Sequence, residues 1–178
     1  MTTVRTDDDR ICRLDLAGRS PAFFCLTTPL AVDGTTLEML LAYARDSGTD
    51  VRLCLHQSPQ DHFHSMLIVQ HKASYHWPHR HIDKGETWHM VAGELGAFVF
   101  DDVGGIIDAR RLSPAGQFLY RIGDGQFHTV VPLTDLVVYH ESKPGPFRGS
   151  DDSIFAPWAP NGGDSAAAYL AALLAALP

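Results

Sequence analysis

The chain of 178 residues is short of several things, and each shortage removes a class of protein. It has three cysteines, Cys12, Cys25 and Cys54, far apart, odd in number and without a Cys-x-x-Cys pair. A disulfide framework is therefore not expected, and the thiols read as small buried hydrophobes in a reducing cytoplasm. No apolar run approaches the length of a membrane span, and Asp7-Asp8-Asp9-Arg10 puts charge where a signal peptide carries its apolar core. Cytoplasmic residence away from membranes is the expectation. Basic charge is also scarce: 14 Lys and Arg stand against 21 Asp and Glu, a net charge of -7, which argues against a nucleic-acid partner. What remains, 45% hydrophobic and 20% charged, is ordinary for a globular chain long enough to bury one core without staples.

Short strands separated by turn residues dominate the pattern. Ile11, Leu14 and Leu16 have the spacing of an edge strand in an otherwise charged terminus, and Ala22 to Leu26 is an apolar strand. Thr35, with Glu38 three positions on, forms a capping box that opens a helix ending near Ser47-Gly48. From Val51 to His56, alternation puts Arg52, Cys54 and His56 on one strand face. An inward Arg and His need partners or a wet pocket, so Arg52 and His56 are candidate pocket residues. Strands follow at 66–70, 94–100, 106–112, 118–122, 126–131 and 136–141, with Gly-rich turns between them, the signature of an antiparallel barrel or sandwich. Residues 165–177, almost all Ala and Leu behind Asp164 or Ser165 as cap, form a helix that packs on the barrel or on a partner chain. The chain thus divides into an N-terminal extension (1–50), a barrel with the site (51–143) and a C-terminal loop and helix (144–178).

Ten histidines are many for this length. His79 and His81 are two apart, so on a strand both imidazoles face the same side, and Pro78 disfavours a helix there. Glu86 follows the turn-like Ile82-Asp83-Lys84-Gly85, close enough to bring a carboxylate to the same ion. Imidazole plus carboxylate suits Fe(II), Mn, Ni, Co, Cu or Zn better than Mg or Ca. His89 falls on the face opposite Glu86, Trp88 and Met90 and reads as structural. Of the remaining histidines, taken singly, His76 is the best placed.

The order His79, His81, Glu86, Gly93 resembles the first cupin motif at every fixed position after its leading Gly. Gly125 to His128 has the Gly, two residues, His spacing of the second motif, although Gly123 stands where that motif has Pro and Pro132 where it has Asn. The resemblance implies a cupin (jelly-roll) barrel holding one metal on His79, His81, Glu86 and His128, and with the helices read above the expected fold is an all-β antiparallel barrel with a helix before it and a short one after it. Further segments, Arg52 to His56, His64 to Val69, Tyr75 to His81, Phe127 to Val131, Glu141 to Phe147 and Phe155 to Pro160, look like the WbuC-family cupin fold metalloproteins. That family name describes a fold and a metal rather than a reaction.

Four protein ligands on an ion that accepts six leave two positions open, which points to chemistry rather than a structural staple. The resulting expectation is one divalent transition metal, Fe(II) first and Zn, Mn, Ni or Cu after it, in an oxidoreductase of the dioxygenase kind acting on a small polar metabolite. The alternatives are a non-redox isomerase, epimerase or lyase on a sugar or amino-acid derivative, and a non-catalytic metabolite-binding cupin. Arg52, His56, Lys84, Glu141 and Lys143 are the candidate substrate or acid–base residues; Glu141 and Lys143 share a face by alternation. Exposed sheet edges and the apolar last helix lead to the expectation of a homodimer.

Overall fold

The computed structural model describes residues 3–5, 11–18, 20–72 and 74–178. Among these described residues, the apolar patterning is realised as thirteen strands: β1 (Thr3–Arg5), β2 (Ile11–Asp15), β3 (Ala22–Cys25), β4 (Val51–Cys54), β5 (Phe63–His71), β6 (His79–Arg80), β7 (Glu86–Ala92), β8 (Leu95–Phe100), β9 (Ile106–Leu112), β10 (Leu119–Ile122), β11 (Phe127–Pro132), β12 (Leu136–Pro144) and β13 (Ile154–Phe155). They form two sheets, in the orders β1-β2-β3-β4-β5-β12-β7-β10 and β13-β6-β11-β8-β9. A closed barrel is not what forms. Each hydrogen-bonded ladder ends in an edge strand, β10 in one sheet and β9 in the other, and apolar side chains rather than backbone bonds join the layers. Pairing is antiparallel except between β3 and β4, which the intervening helix α1 (Gly34–Ser47) allows to run parallel.

Alternation sorts the side chains into layers. Trp88, Met90, Val137 and Tyr139 of the large sheet meet Leu95, Ala97, Val99 and Val130 of the small one in the inter-sheet core. The outer face of the large sheet, with Phe23, Val51, Leu53, Leu67, Val69 and Val138, is covered by Leu40 and Ala44 of α1. The outer face of the small sheet, with Phe98, Phe100, Phe127 and Val131, is covered by Ala156, Ala159 and Leu173, the last on helix α2 (Gly163–Ala175). At about 25 cal/mol per Å² of apolar area, these three interfaces supply the main drive to fold.

Both helix starts differ from expectation. The N-cap of α1 is Asp33, not Thr35: Asp33 Oδ1 accepts the Thr36 N–H at 2.9 Å and the Thr36 hydroxyl at 3.0 Å, and a charged carboxylate is the stronger acceptor. The helix ends at Gly48, whose φ of 64° is the left-handed turn that glycine adopts without strain. Helix α2 begins after Gly162 with no side-chain cap, and neither Asp164 nor Ser165 fills that role. No helix among the described residues is long and apolar enough to cross a membrane. The segments 1–2 and 6–10, part of the terminus read as charged and loose, lie outside the described residues.

Candidate metal centre

Three strands and one loop end bring the candidate ligands together. His79 on β6 lies opposite His128 on β11, Glu86 opens β7 across the inter-sheet space, and His81 follows just beyond the two-residue β6. One ligand atom from each of the four residues lies within 4.8 Å of all the others. His81, Glu86 and His128 are buried, and His79 is partly exposed.

Backbone carbonyls set the tautomers. Nδ1 of His79 bonds Trp77 O at 3.1 Å, that of His81 bonds Asp152 O at 2.5 Å, and that of His128 bonds Gln126 O at 2.8 Å. A carbonyl can only accept, so each Nδ1 carries the hydrogen and each neutral ring presents a bare Nε2 lone pair. The Nε2 atoms of His81 and His128 are buried without a hydrogen-bond partner, yet stand 2.6 Å and 3.7 Å from the Glu86 carboxylate. The 2.6 Å approach lacks hydrogen-bond geometry, and with Nδ1 already donating it sets lone pair against lone pair unless a cation stands between them. These residues therefore fit a divalent transition metal on three nitrogens and one oxygen.

The ionisation states agree with that fit. Burial, with His128 and His81 alongside, pushes His79 down to about 3. Burial also lowers His128, so both rings are neutral donors at ordinary pH. For Glu86, burial opposes ionisation, but Lys143, His81 and His128 outweigh it and hold the carboxyl well below its usual range. Burial likewise opposes protonation of His81, and the Glu86 carboxylate raises it in net.

Around this cluster the structure sorts the remaining candidates. Lys143 Nζ lies 3.0 Å from both Glu86 Oε1 and Glu141 Oε1, so this pair stands directly beside the ligands. Burial raises Glu141, while its two carboxylate neighbours raise Lys143 against burial. His56, just past β4, stacks on His64 at 4.3 Å between ring centroids, and His64 lies opposite Lys143 across the β5–β12 ladder. A polar row thus crosses the inner face from His56 to Glu86. Arg52 is not brought there: it sits in the row of Ile68, Tyr139 and Met90, about 14 Å of strand spacing from β7, and reaches Ser20 Oγ at 3.4 Å. Lys84 is buried with its ammonium held by the Asp152 carboxylate and by Pro146 O at 2.6 Å. Its charge is committed to the fold. His76 pairs with Asp50 at 3.5 Å, and His89 is exposed beside Phe118.

Two participants had little or no individual signal in the sequence. Asp152 accepts from His81 through its carbonyl, and through its carboxylate from Lys84 and the Arg148 amide, the last at 3.1 Å. The segment 144–155 is thereby strapped across the metal motif, closed outside by the two-pronged Arg148–Asp83 pair at 3.0 and 2.8 Å and continued by β13 pairing with β6. Asp152 lies 71 residues from His81, which no local pattern bridges. His64 was one of several histidines with only a weak signal taken singly, and it opens the segment His64 to Val69 that resembles the WbuC family.

A family model described as "Domain of unknown function (DUF6016)" matches residues 32–112, a span that holds His79, His81 and Glu86 but not His128. No curated protein matches the chain. Among solved structures, the capsular polysaccharide assembling protein CapF from Staphylococcus aureus is similar with a TM-score of 0.51 and 17% identity, over 58% of this chain and 29% of CapF. The L-ribose isomerase of Cellulomonas parahominis is similar with a TM-score of 0.50 and 16% identity, over 68% of this chain and 72% of that one. This chain therefore spans less than a third of the CapF chain. Likenesses at this identity show the fold alone, a cupin-like sandwich of two packed sheets. Its particular form is a three-histidine, one-glutamate centre strapped by the segment 144–155.

Proposed function

We propose that the chain is a mononuclear metal-dependent cupin enzyme acting on a small polar metabolite, with iron(II) as its ion and dioxygen as co-substrate. The observation that carries this reading is the convergence of three bare Nε2 atoms and one carboxylate, buried on all sides except at the partly exposed His79. When bound, the ion supplies Lewis acidity and, as iron(II), one-electron chemistry toward dioxygen. The chain's residues do the rest. The carbonyls of Trp77, Gln126 and Asp152 orient the rings, Lys143 fixes one oxygen of Glu86, and the inter-sheet core keeps water from the inner side of the ligands. The segments resembling the WbuC family include His79, His81, His128, Glu141 and Lys143 but not Glu86, and they name no reaction.

A second reading keeps the ligands and changes the chemistry. Glu141, buried, and Lys143, half-buried, form an acid–base pair in contact with Glu86, an arrangement suited to proton transfer beside a Lewis acid, as in an isomerase, epimerase or lyase. Two fold relatives have names tied to sugars, which makes sugars and their acids the first substrates to try. Anaerobic loading with Fe(II) and addition of nitric oxide is expected to give an iron-nitrosyl signal, and oxygen uptake is expected with the true substrate. Full turnover with Zn or Mn in the absence of oxygen would overturn the oxidoreductase reading in favour of proton transfer. We further propose a homodimer in the cytoplasm, for which light scattering at micromolar concentration should report twice the chain mass.

A further inference from the structure

Antiparallel pairing of β2 with β3 sets Cys12 directly opposite Cys25, and their sulfurs lie 3.3 Å apart. Residues opposed in such a ladder have Cα separations of about 4.5–5.5 Å, inside the range a disulfide spans without backbone movement. Both side chains are buried in the layer under α1, at 3% and 2% exposure. The third thiol cannot compete. Cys54 pairs across the β3–β4 ladder with Phe24, on the other face of the sheet, where it packs with Met66. Burial pushes the Cys54 thiol up to about 11, so it is unreactive as well as misdirected.

We infer that Cys12 and Cys25 are a paired-thiol modification site, which a low-molecular-weight disulfide converts to an intramolecular bond that staples β2 to β3. In the step, one cysteine thiolate attacks the glutathione disulfide and releases a first glutathione thiol. The second cysteine then displaces the second glutathione from the mixed disulfide. Two protein thiols and one glutathione disulfide become one protein disulfide and two glutathione thiols, with both protons passing to the released thiols. Access comes from opening at the edge, because β2 has only the three-residue β1 outside it. The bond closes a loop of about 14 residues, so its effect is to hold the first strands on the sheet. This inference is independent of the metal centre, which lies on other strands.

The test refolds the full chain in a glutathione redox buffer, which removes burial as a kinetic barrier, and quenches with acid. Expected results are a mass lower by two hydrogens, one titratable thiol in denaturant, and a peptide map joining Cys12 to Cys25. The Cys54→Ser variant should then show no free thiol, and Cys25→Ser should form no intramolecular bond. The oxidised chain should melt several degrees higher than the same sample after reduction. Three free thiols, a glutathione adduct alone, or a bond that includes Cys54 would each overturn the assignment.

Discussion

Two groups of histidines, buried except for the partly exposed His79, lie on the inner faces of the sheets, and they differ in what surrounds them. In the ligand cluster each ring gives its Nδ1 hydrogen to a carbonyl and aims a bare Nε2 at a carboxylate. In the His56–His64 stack, His56 Nδ1 meets the Ser65 backbone, with the carbonyl oxygen at 3.1 Å and the amide nitrogen at 3.2 Å, His64 Nε2 donates to Pro59 O at 3.1 Å, and among the described residues no carboxylate joins the pair in a ligand cluster. Burial lowers both stacked rings, and the charges next in importance differ: His64 weighs on His56, and Lys143 and Lys84 weigh on His64. Burial alone therefore does not make a metal site. The second partners of the rings, and the sign of the neighbouring charge, decide it.

The largest effect should come from the ligands themselves. His79→Ala with His128→Ala is expected to drop the metal content of chelator-free protein from near one ion per chain to below about a tenth. Removing His56 and His64 together should leave it near one. Elemental analysis of the two double variants makes the comparison, and equal losses would show that the stack also binds.

The next effect concerns the strap. Lys84→Met leaves the Asp152 carboxylate buried without its ammonium and should cost about 3–5 kcal/mol of stability by urea unfolding. Arg111→Ala, which removes the exposed ion pair with Glu94, should cost no more than about 1 kcal/mol. Because Asp152 also orients His81, Lys84→Met should weaken metal affinity by roughly 10- to 100-fold in a chelator competition.

The stack should appear in the pH dependence. Burial holds His56 at about 4, against 6.5 for an unhindered ring. Between those values the unfolded chain binds the proton and the folded one does not, so the His56 contribution is full above about 6.5 and is lost as pH falls toward 4. The slope of melting temperature against pH in that window should be shallower in His56→Phe. An unchanged slope would mean that other groups account for it.

The smallest effect lies at the start of α1. Asp33→Ala should cost about 1 kcal/mol and Thr35→Ala no more than about 0.5 kcal/mol, both measured by denaturant unfolding. The capping box read from Thr35 and Glu38 was a plausible local pattern, but Asp33, two residues earlier, offers the stronger acceptor to the Thr36 amide.

Features that depend on spacing along one strand or turn were legible in the amino-acid order. Alternation alone puts His79 with His81 and Glu141 with Lys143, and Glu86 follows after a turn short enough to return it. His128 needed the resemblance to a known motif, since 42 positions separate it from Glu86. Tertiary structure decided what no local period encodes. It set the register that opposes Cys12 to Cys25, the division into two sheets rather than a closed barrel, and the distance of Arg52 from the cluster. It also delivered Asp152 to His81 and Lys84, a contact that exists only once the two sheets have packed and residues 144–155 have crossed the motif. Strand faces follow from the fixed geometry of the backbone, whereas pairings between distant strands follow from which apolar faces can be buried together.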